Sequence, residues 1–176
     1  MMVTTPAGSN HRPPYGSVAE TRFRHVMGSF ATGITVVTSC DEGGTPVGLT
    51  ASSLASVSKT PPLILVCIGH DKYTLSAIRS SGVFAINLLK ADQAEIAHQF
   101  ASSAPDKFAK LRVKTGLLGV PLFENTLAYA ECSVFNLIDA GDHVIVIGRV
   151  VNGANVTAPP LLHFRGQFHD GTRLLT

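Results

Sequence analysis

The sequence predicts a mainly β protein with a few helices, and a small closed or split β-barrel fits it better than a βαβ sheet. The first observation is a series of about six or seven short β-branched or alternating segments that follow one another through turns. The second is the sparse placement of helical patterns between them. The third is that neither a GxGxxG nor a GxxxxGK[ST] motif follows a strand, which argues against Rossmann and P-loop folds.

The N-terminal part of the chain is predicted to be a flexible arm followed by a helix. Residues 1–16 mix Pro, Gly, Ser and Asn without periodicity, so the folded domain is expected to span residues 17–176. The helix is expected to begin at Ser17, which forms a capping-box pattern with Glu20. Its apolar face is predicted to join the core and carries Ala19, Phe23, Val26, Met27 and Phe30.

Three strands are predicted next. Ile34–Thr38 is β-branched throughout, and the turn Asp41–Pro46 joins it to the segment VGLTA in a hairpin. Pro61 and Pro62 stop any helix and precede LILVCI, which is apolar on both faces and is therefore expected in the centre of a sheet.

Two short helices are predicted in the middle of the chain. The polar segment Gly69–Thr74 ends in Thr74, whose hydroxyl is expected to cap the first helix. Asp92 and Glu95 form a capping pattern for the second. The apolar face of that helix carries Ala94, Ile96, Ala97 and Phe100.

The remaining strands are predicted on both sides of an irregular region. Val83–Leu89 is a buried strand, and Ser102–Glu124 breaks into loop and short elements where a lid or a dimer contact could lie. Leu127–Ala140 and His143–Val151 alternate inward and outward residues and form a long hairpin. The tail at Pro159–Phe168 supplies one last short strand.

Composition argues against two classes of partner. The 14 Lys and Arg residues are scattered and the net charge is only +2, so neither a nucleic-acid footprint nor a polybasic membrane patch is present. Hydrophobic residues make up 45% of the chain and charged residues 15%, which is lean for a solvated monomer surface. Part of the surface is therefore expected to be covered by a partner subunit or a ligand.

The cysteines and the apolar runs indicate a soluble cytoplasmic protein. Cys40, Cys67 and Cys132 are an odd number without CxxC or Cys/His metal spacing, which a reducing cytoplasm explains more simply than a disulfide does. No basic segment followed by a long apolar run opens the chain, and the other apolar runs are too short to cross a bilayer. No metal site is predicted.

One stretch, Gly48–Pro62, carries an unusual density of hydroxyls on small residues. Small side chains let a ligand approach the backbone, and hydroxyls and backbone N–H groups can donate to a phosphate or to the polar edge of a heterocycle. A Ser/Thr-rich edge strand and loop with solvated hydroxyls explains the same run equally well. The hydroxyls belong to Thr50, Ser52, Ser53, Ser56 and Ser58.

Five motifs in one order resemble the flavin reductase-like family, the small NAD(P)H:flavin oxidoreductases that supply reduced flavin to two-component monooxygenases. The resemblance implies a split β-barrel of the FMN-binding type, usually a homodimer with flavin near the subunit interface. It also implies FMN or FAD as the flavin, NADH or NADPH as co-substrate, and a monooxygenase component reached by diffusing reduced flavin. The motifs are FATGITVVT at 30–38, GLTASSLASVSKTPPLILVCI at 48–68, SGVFAINLL at 81–89, GDHVIVIGRV at 141–150 and PPLLHFRGQF at 159–168.

The resemblance also implies a set of flavin-binding residues. Val57 and Ser58 would lie close to the phosphate, and Phe108 and Asn87 would contact the flavin. The ring and ribityl chain would be wrapped by Thr50, Ala51, Ser52, Ser53, Leu54 and Ala55. The phosphate or diphosphate grip would be completed by Lys72, Tyr73 and Thr74. An ammonium group and a hydroxyl at a helix start both favour an anion, although Lys72 taken alone would be a solvated loop lysine.

The nicotinamide side follows from the same resemblance. His143 resembles the family's nicotinamide-side histidine, and the tail formed by His163, Phe164 and Arg165 would help to hold the pyridine nucleotide. Asp142 would orient the His143 ring or would simply be a turn residue. Taken alone, a histidine at a strand start is a satisfied or solvated one, and Phe164 is a core residue on spacing.

The chemistry expected of such a site needs no side-chain nucleophile. Hydride transfer from nicotinamide C4 to flavin N5 needs two rings stacked at roughly 3 to 3.5 Å with water largely excluded, and the cofactors supply the redox chemistry. No GxSxG or HExxH context is present. Two alternatives remain open: an oxidase-like enzyme with fixed FMN, and a non-enzymatic flavin-binding protein.

Overall fold

The computed structural model describes residues 16–175, and strands predominate over helices in that range, which confirms the mainly β prediction. The three α-helices are α1 (Glu20–Gly28), α2 (Tyr73–Ser81) and α3 (Ala94–Ala101). The first six strands are β1 (Thr32–Gly33), β2 (Thr35–Cys40), β3 (Pro46–Ala51), β4 (Ala55–Lys59), β5 (Pro62–Gly69) and β6 (Val83–Leu88). The other six are β7 (Val113–Thr115), β8 (Pro121–Phe123), β9 (Ala128–Ala140), β10 (His143–Asn155), β11 (Leu161–Phe164) and β12 (Gln167–Asp170).

Short 3-10 turns at Ala91–Gln93 and Thr172–Leu175 complete the secondary structure of the described range. Nearly all of the predicted arm, residues 1–15, lies outside it. Within the described range, no helix is long and apolar enough to span a membrane.

The main sheet has seven antiparallel strands in the order β3-β2-β6-β9-β10-β5-β4. β3 and β4 lie at its opposite edges, yet only residues 52–54 join them in the chain. Because the four Cα–Cα steps from Ala51 to Ala55 span at most about 14 Å, the sheet must curve until the end of β3 and the start of β4 come close together. Among the described residues no strand ladder joins β3 to β4 or β5, so the sheet stays open there. We call this opening the seam.

Most of the predicted strands are confirmed. β2 and β3 form the predicted hairpin, β6 lies inside the main sheet, and β9 and β10 form the long hairpin. β5 has a neighbour on each side but is second from the edge rather than central. The irregular region between α3 and β9 contains only the short β7–β8 hairpin.

The tail differs from the prediction because it forms two strands instead of one. β11 and β12 pair as a tight hairpin, and β11 also pairs with β1. Arg165 and Gly166 occupy the turn with φ of 50° and 78°. Two consecutive positive φ values are what a two-residue hairpin turn requires, so the glycine explains why the chain reverses there.

Two apolar clusters hold the helices against the main sheet. α2 packs on the first cluster through Leu75 and Ile78. α3 packs on the second through Ala97 and Phe100. Other buried members of the first are Val37, Ala51, Val66, Ile68, Phe84, Ile86, Cys132, Val144 and Val146, and of the second Ile34, Val36, Leu89, Phe123 and Leu161. These contacts fix the start of α2 and the end of α3 relative to β3 and β5.

The prediction that the apolar face of α1 joins the core is wrong. No residue of α1 is buried by the part of the chain that the structure describes. Phe23 is 55% exposed and Val26 63%, because the helix stands clear of the main sheet and is anchored by the Arg165 N–H, which donates to the Gly28 carbonyl at 2.9 Å. The helix also begins at Glu20, with Ala19 at the N-cap and no side-chain cap.

Two further capping predictions are wrong. Lys72 occupies the N-cap of α2, while Thr74 lies inside the first turn and is 4% exposed. Asp92 does not cap α3, because a 3-10 turn precedes that helix. There the Gln93 side-chain oxygen accepts from the Lys90 N–H at 2.8 Å. The capping contact is therefore made by an amide instead of the expected carboxylate.

Candidate functional site

A cleft of about 600 Å³ opens where β3, β5 and β10 meet the start of α2 and the end of α3. Its walls are residues 49–53, 67–69, 71–73 and 100–103, together with Lys107 and His143. We call it the main cleft. Its volume falls within the range of roughly 300 to 1,000 Å³ that is usual for cofactor and ligand sites.

Seven of the predicted site residues line the main cleft. They come from three separate parts of the chain, which the curvature of the sheet and the packing of α2 bring together. These residues are Thr50, Ala51, Ser52, Ser53, Lys72, Tyr73 and His143. The hydroxyl-rich stretch, the polar segment before α2 and the start of β10 therefore form one surface.

The hydroxyls of the main cleft have different roles. The Thr50 hydroxyl donates to the Ala97 carbonyl at 2.6 Å and so ties β3 to α3. The Ser53 Oγ accepts from the Cys67 N–H at 2.9 Å and donates to the Cys67 carbonyl at 3.2 Å. Ser52 is exposed and makes no hydrogen bond within residues 16–175. Ser103 is likewise exposed in the cleft and makes no side-chain hydrogen bond within that range, so Ser52 and Ser103 are the hydroxyls most available to a ligand.

Two lysines face the main cleft. The Lys72 ammonium lies 2.8 Å from Oδ2 of Asp71. Lys107 is half-buried, and its ammonium donates to the Phe100 carbonyl at 3.1 Å. Burial lowers the pKa of Lys107, and the positive charge of Lys72 lowers it further. Both ammonium groups line the same cleft, which makes this part of its wall favourable for an anion.

Lys107 was missed by sequence reasoning, and no local signal singles it out. It follows Asp106 in the irregular region, where the sequence shows no periodicity. Its position depends on packing: the Gln99 side-chain amide donates to the Lys107 carbonyl at 2.6 Å, and this contact holds the loop against the end of α3. Only the tertiary structure places it opposite Lys72.

His143 is oriented by its neighbour. Nδ1 of His143 lies 2.8 Å from Oδ1 of Asp142, whose side chain is 95% exposed in the turn before β10. Both sequence interpretations of Asp142 are therefore correct, since it is a turn residue that also contacts the ring. The hydrogen bond with His143 lowers the pKa of Asp142, and the charge of His143 adds to the shift. With Nδ1 engaged, Nε2 is the nitrogen left for a ligand.

Residues 27–172 match the model of the family described as "Flavin reductase like domain". The chain belongs to this family. It is 42% identical over 157 residues to the flavin reductase (NADH) of Kitasatospora aureofaciens, covering 87% of this chain and 82% of the relative. It is 43% identical over 145 residues to a probable flavin reductase of Rhizobium meliloti, where the match covers 82% of this chain but 47% of the relative. The chain thus spans about half the length of that protein.

Solved structures agree with the family assignment. The crystal structure of the nitrilotriacetate monooxygenase component B homologue from Mycobacterium thermoresistibile is similar, with a TM-score of 0.83 and 37% identity. The similarity covers 86% of each chain. The fold of this flavin reductase-like domain is therefore shared by that component B homologue.

The remaining predicted site residues of the flavin reductase-like domain lie outside the main cleft. Ala55, Val57 and Ser58 lie on the edge strand β4. Leu54 lines a mostly apolar pocket of about 350 Å³ beside Phe30, which shares Ser52 with the main cleft. Thr74 and Phe108 line a second chamber next to the main cleft, and Phe108 packs edge-on to Phe100 with ring centroids 5.0 Å apart.

Asn87 lies in the core, away from the cleft. It is fully buried, and its amide donates to the Val36 carbonyl at 3.2 Å and to the Thr38 hydroxyl at 3.1 Å. Its side-chain oxygen accepts from the Phe123 N–H at 2.9 Å. These partners occupy both ends of the amide, so the side chain links β6 to β2 and β8 and has no access to a ligand in the cleft.

The C-terminal tail is also separate from the main cleft of its own chain. His163 and Phe164 lie in β11 and Arg165 in the following turn. Phe164 is half-buried, and the Arg165 guanidinium lies 5.1 Å above its ring. The tail contacts β1 and the end of α1. Within the described range, no three His, Cys, Asp or Glu residues are placed to hold a metal ion.

Proposed function

We propose that this chain is a flavin reductase that transfers a hydride from NADH or NADPH to FMN or FAD and supplies the reduced flavin to a separate monooxygenase component. Membership of the flavin reductase-like family and the 42% identity to a flavin reductase (NADH) support this proposal. The observation that carries it is the main cleft, where Ser52, Lys72 and His143 lie on one surface.

The residues of the main cleft fit a flavin. Ala51 and Ser52 are small enough for a planar ring to approach the backbone, and Ser52 has a hydroxyl free to donate. Lys72 and Lys107 supply positive charge for the phosphate end. Bound flavin and nicotinamide would supply the redox chemistry, so the protein has to align them and exclude water.

His143 has a positioning role in this proposal. Asp142 holds the ring through Nδ1, and Nε2 is then placed to contact the nicotinamide side of the substrate. Among its described residues the cleft offers hydroxyls, main-chain amides and two lysines but no arginine clamp, which favours a flavin that is bound reversibly and can leave after reduction. Release is what a partner monooxygenase requires.

We also propose that the open main sheet is the split β-barrel of the FMN-binding type and that the chain works as a homodimer. The exposed apolar side chains of α1 and the segment after it support the dimer, because four of them are at least half exposed: Phe23, Val26 and Met27 on the helix and Phe30 just beyond it. Apolar area of this kind normally marks an interface. A dimer would also let the tail residues His163, Phe164 and Arg165 reach a cleft of the partner subunit.

We place the reaction in the cytoplasm and treat the flavin as a substrate. Cys40, Cys67 and Cys132 are free thiols, as a reducing compartment maintains them.

The decisive experiment mixes the purified protein anaerobically with FMN or FAD and with NADH or NADPH. The proposal expects rapid bleaching of the flavin absorbance, and gel filtration that separates protein from flavin. A protein that stays yellow with stoichiometric flavin would indicate a fixed prosthetic group instead. Flavin binding without bleaching by either nucleotide would indicate a non-enzymatic flavin-binding protein.

A further inference from the structure

A second chamber of about 380 Å³ adjoins the main cleft. The two cavities share Leu49, Tyr73 and Ser103 as wall residues, and Lys72 and Lys107 stand at the boundary between them. We call it the side chamber. Its remaining walls are the end of the β2–β3 turn with the start of β3, Thr74 of α2 and the loop 104–108. The positive charge of the site is thus concentrated where the two cavities meet.

The charges at the boundary favour a bridging anion. Asp71 is paired with Lys72, and the Asp106 carboxylate accepts from the Ala109 N–H at 3.1 Å. Lys107 has no carboxylate partner among the described residues and donates to a backbone carbonyl only. An ammonium group has three donors, so Lys107 retains capacity for phosphate oxygens. Because both lysines line both cavities, an anion at the boundary can be attracted by the two ammonium groups together.

The walls of the side chamber suit a flat heterocycle. Pro46, Pro105 and Phe108 are apolar, and Tyr73 presents a ring that is 64% exposed. The Tyr73 hydroxyl donates to Oδ2 of Asp41 at 3.1 Å, which fixes the position of the ring. This hydrogen bond raises the pKa of Tyr73, so the phenol stays protonated as the donor. A fixed aromatic face stacks on a base at little entropic cost.

We infer that Lys107 and Lys72 hold the diphosphate of FAD and that the side chamber receives its adenosine, so this chain binds FAD in preference to FMN. The inference rests on the proposed function, because it takes the main cleft as the flavin site. FMN fills the main cleft and ends at the lysines, whereas FAD continues past them into the side chamber. Riboflavin reaches neither the lysines nor the side chamber.

Isothermal titration of the wild-type protein with riboflavin, FMN and FAD, without pyridine nucleotide, tests the order of affinities. We expect FAD to bind roughly tenfold or more tightly than FMN, and FMN more tightly than riboflavin. Ala104→Phe narrows the side chamber and is expected to weaken FAD roughly tenfold while leaving FMN within about twofold. Retained FMN affinity shows that the variant is folded. Ala109→Phe, in the same loop but outside the chamber, is the matched control.

Lys107→Met tests the phosphate contact. We expect it to weaken FMN and FAD roughly tenfold and riboflavin less than about twofold. Lys110→Met is the matched control, since Lys110 is exposed in the same loop and lines neither cavity. If Lys107→Met weakens riboflavin as much as FAD, its role is structural and the inference fails.

The adenosine diphosphate part of a pyridine nucleotide has the same chemistry as that of FAD. A kinetic experiment distinguishes which of the two ligands occupies the side chamber. With riboflavin as acceptor, the KM for NADH should be the same in the wild type and in Ala104→Phe. A raised KM with unchanged FAD affinity would assign the side chamber to the pyridine nucleotide and overturn the inference, as would equal affinity of the wild type for FMN and FAD. If FAD binds as expected but NADH and NADPH never reduce it, the proposed function fails while the assignment of the side chamber stands.

Discussion

Ser53 binds both backbone groups of Cys67, accepting from its N–H at 2.9 Å and donating to its carbonyl at 3.2 Å. Ser53 lies in the segment that joins the two edge strands, and Cys67 lies in β5, so one side chain attaches that segment to β5 beside the seam. The same segment provides part of the wall of the main cleft. The hydroxyl therefore shapes the cleft while it fastens the sheet.

Ser53→Ala is expected to lower the free energy of unfolding by about 1 to 3 kcal/mol, because it leaves the backbone groups of Cys67 without their partner. Urea denaturation measures the change. Ser56→Ala is the control, since Ser56 is exposed on β4 and should be neutral within about 0.5 kcal/mol. Equal stability of the Ser53 variant and the wild type would show that water replaces the hydroxyl without cost.

Ser52→Ala is expected to weaken flavin binding without changing stability, because its hydroxyl has no partner in the described structure. Thr50→Val is expected to lower both the flavin affinity and the free energy of unfolding, since the Thr50 hydroxyl ties β3 to α3. Each expected loss of binding or unfolding free energy is about 0.5 to 1.5 kcal/mol. Flavin titration and urea denaturation of the two variants separate the effects. Loss of stability in Ser52→Ala would contradict the assignment.

His143→Ala is expected to lower kcat/KM for NADH by roughly 10- to 100-fold while flavin affinity changes much less, because the residue is assigned to the nicotinamide side. Steady-state kinetics with varied NADH measure this. Unaltered turnover and an unaltered KM for NADH would remove the assignment.

The same variant tests the pair with Asp142. The His143 contact lowers the pKa of the folded-state carboxyl, so its contribution to stability is present above the ordinary aspartate pKa and is lost as pH falls through the lowered value. In His143→Ala the Asp142 pKa should rise toward its ordinary value. A carboxyl-detected NMR titration of both proteins records it, and an unshifted Asp142 in the wild type would mean that the hydrogen bond does not persist in solution.

Val26→Glu is expected to convert a homodimer into monomers, because burying an unpaired carboxylate in an apolar interface is costly. Analytical ultracentrifugation measures the mass. Arg22→Glu is the control on the same helix, and it changes an exposed polar position instead. A monomeric wild type would contradict the proposed dimer. The apolar face of α1 would then have to be covered by something other than a second copy of the chain.

Gly148→Ala is expected to lower the free energy of unfolding by about 1 to 3 kcal/mol through overpacking. An added Cβ on β10 would overlap the Phe84 ring and lie 2.9 Å from Cβ of Cys132, both of which are fully buried. Gly33→Ala is the control, since nothing lies within 4 Å of a Cβ there. Thermal or urea denaturation compares the two.

The sequence predicts the strands well because β-branched runs and turn residues act locally. Ile34–Thr38 and the turn before β3 need no distant partner to be recognised. The face of α1 could not be assigned in the same way, because amphipathic spacing shows that a face is to be covered but not by which chain. Thr74 was misplaced because helix starts are defined to within a residue or two by backbone hydrogen bonds.

The candidate site shows the same division. The hydroxyl-rich stretch and His143 are visible in the sequence, and the structure brings them together. Asn87 shows the limit, because an amide in an apolar strand is equally suited to a ligand or to a buried network, and only the positions of Val36 and Phe123 decide. Lys107 needs the folded loop, since its partner Lys72 lies far away in sequence.

The hydrogen bond between Tyr73 and Asp41 connects the side chamber to a surface turn. Asp41 begins the turn between β2 and β3, and its carboxylate also accepts from the Gly43 and Thr45 N–H groups. Lengthening or shortening that turn would shift a wall of the chamber and leave His143 and Ser52 in place. On the inference that the side chamber receives the adenosine of FAD, inserting or deleting residues in that outer turn would alter the preference for FAD over FMN.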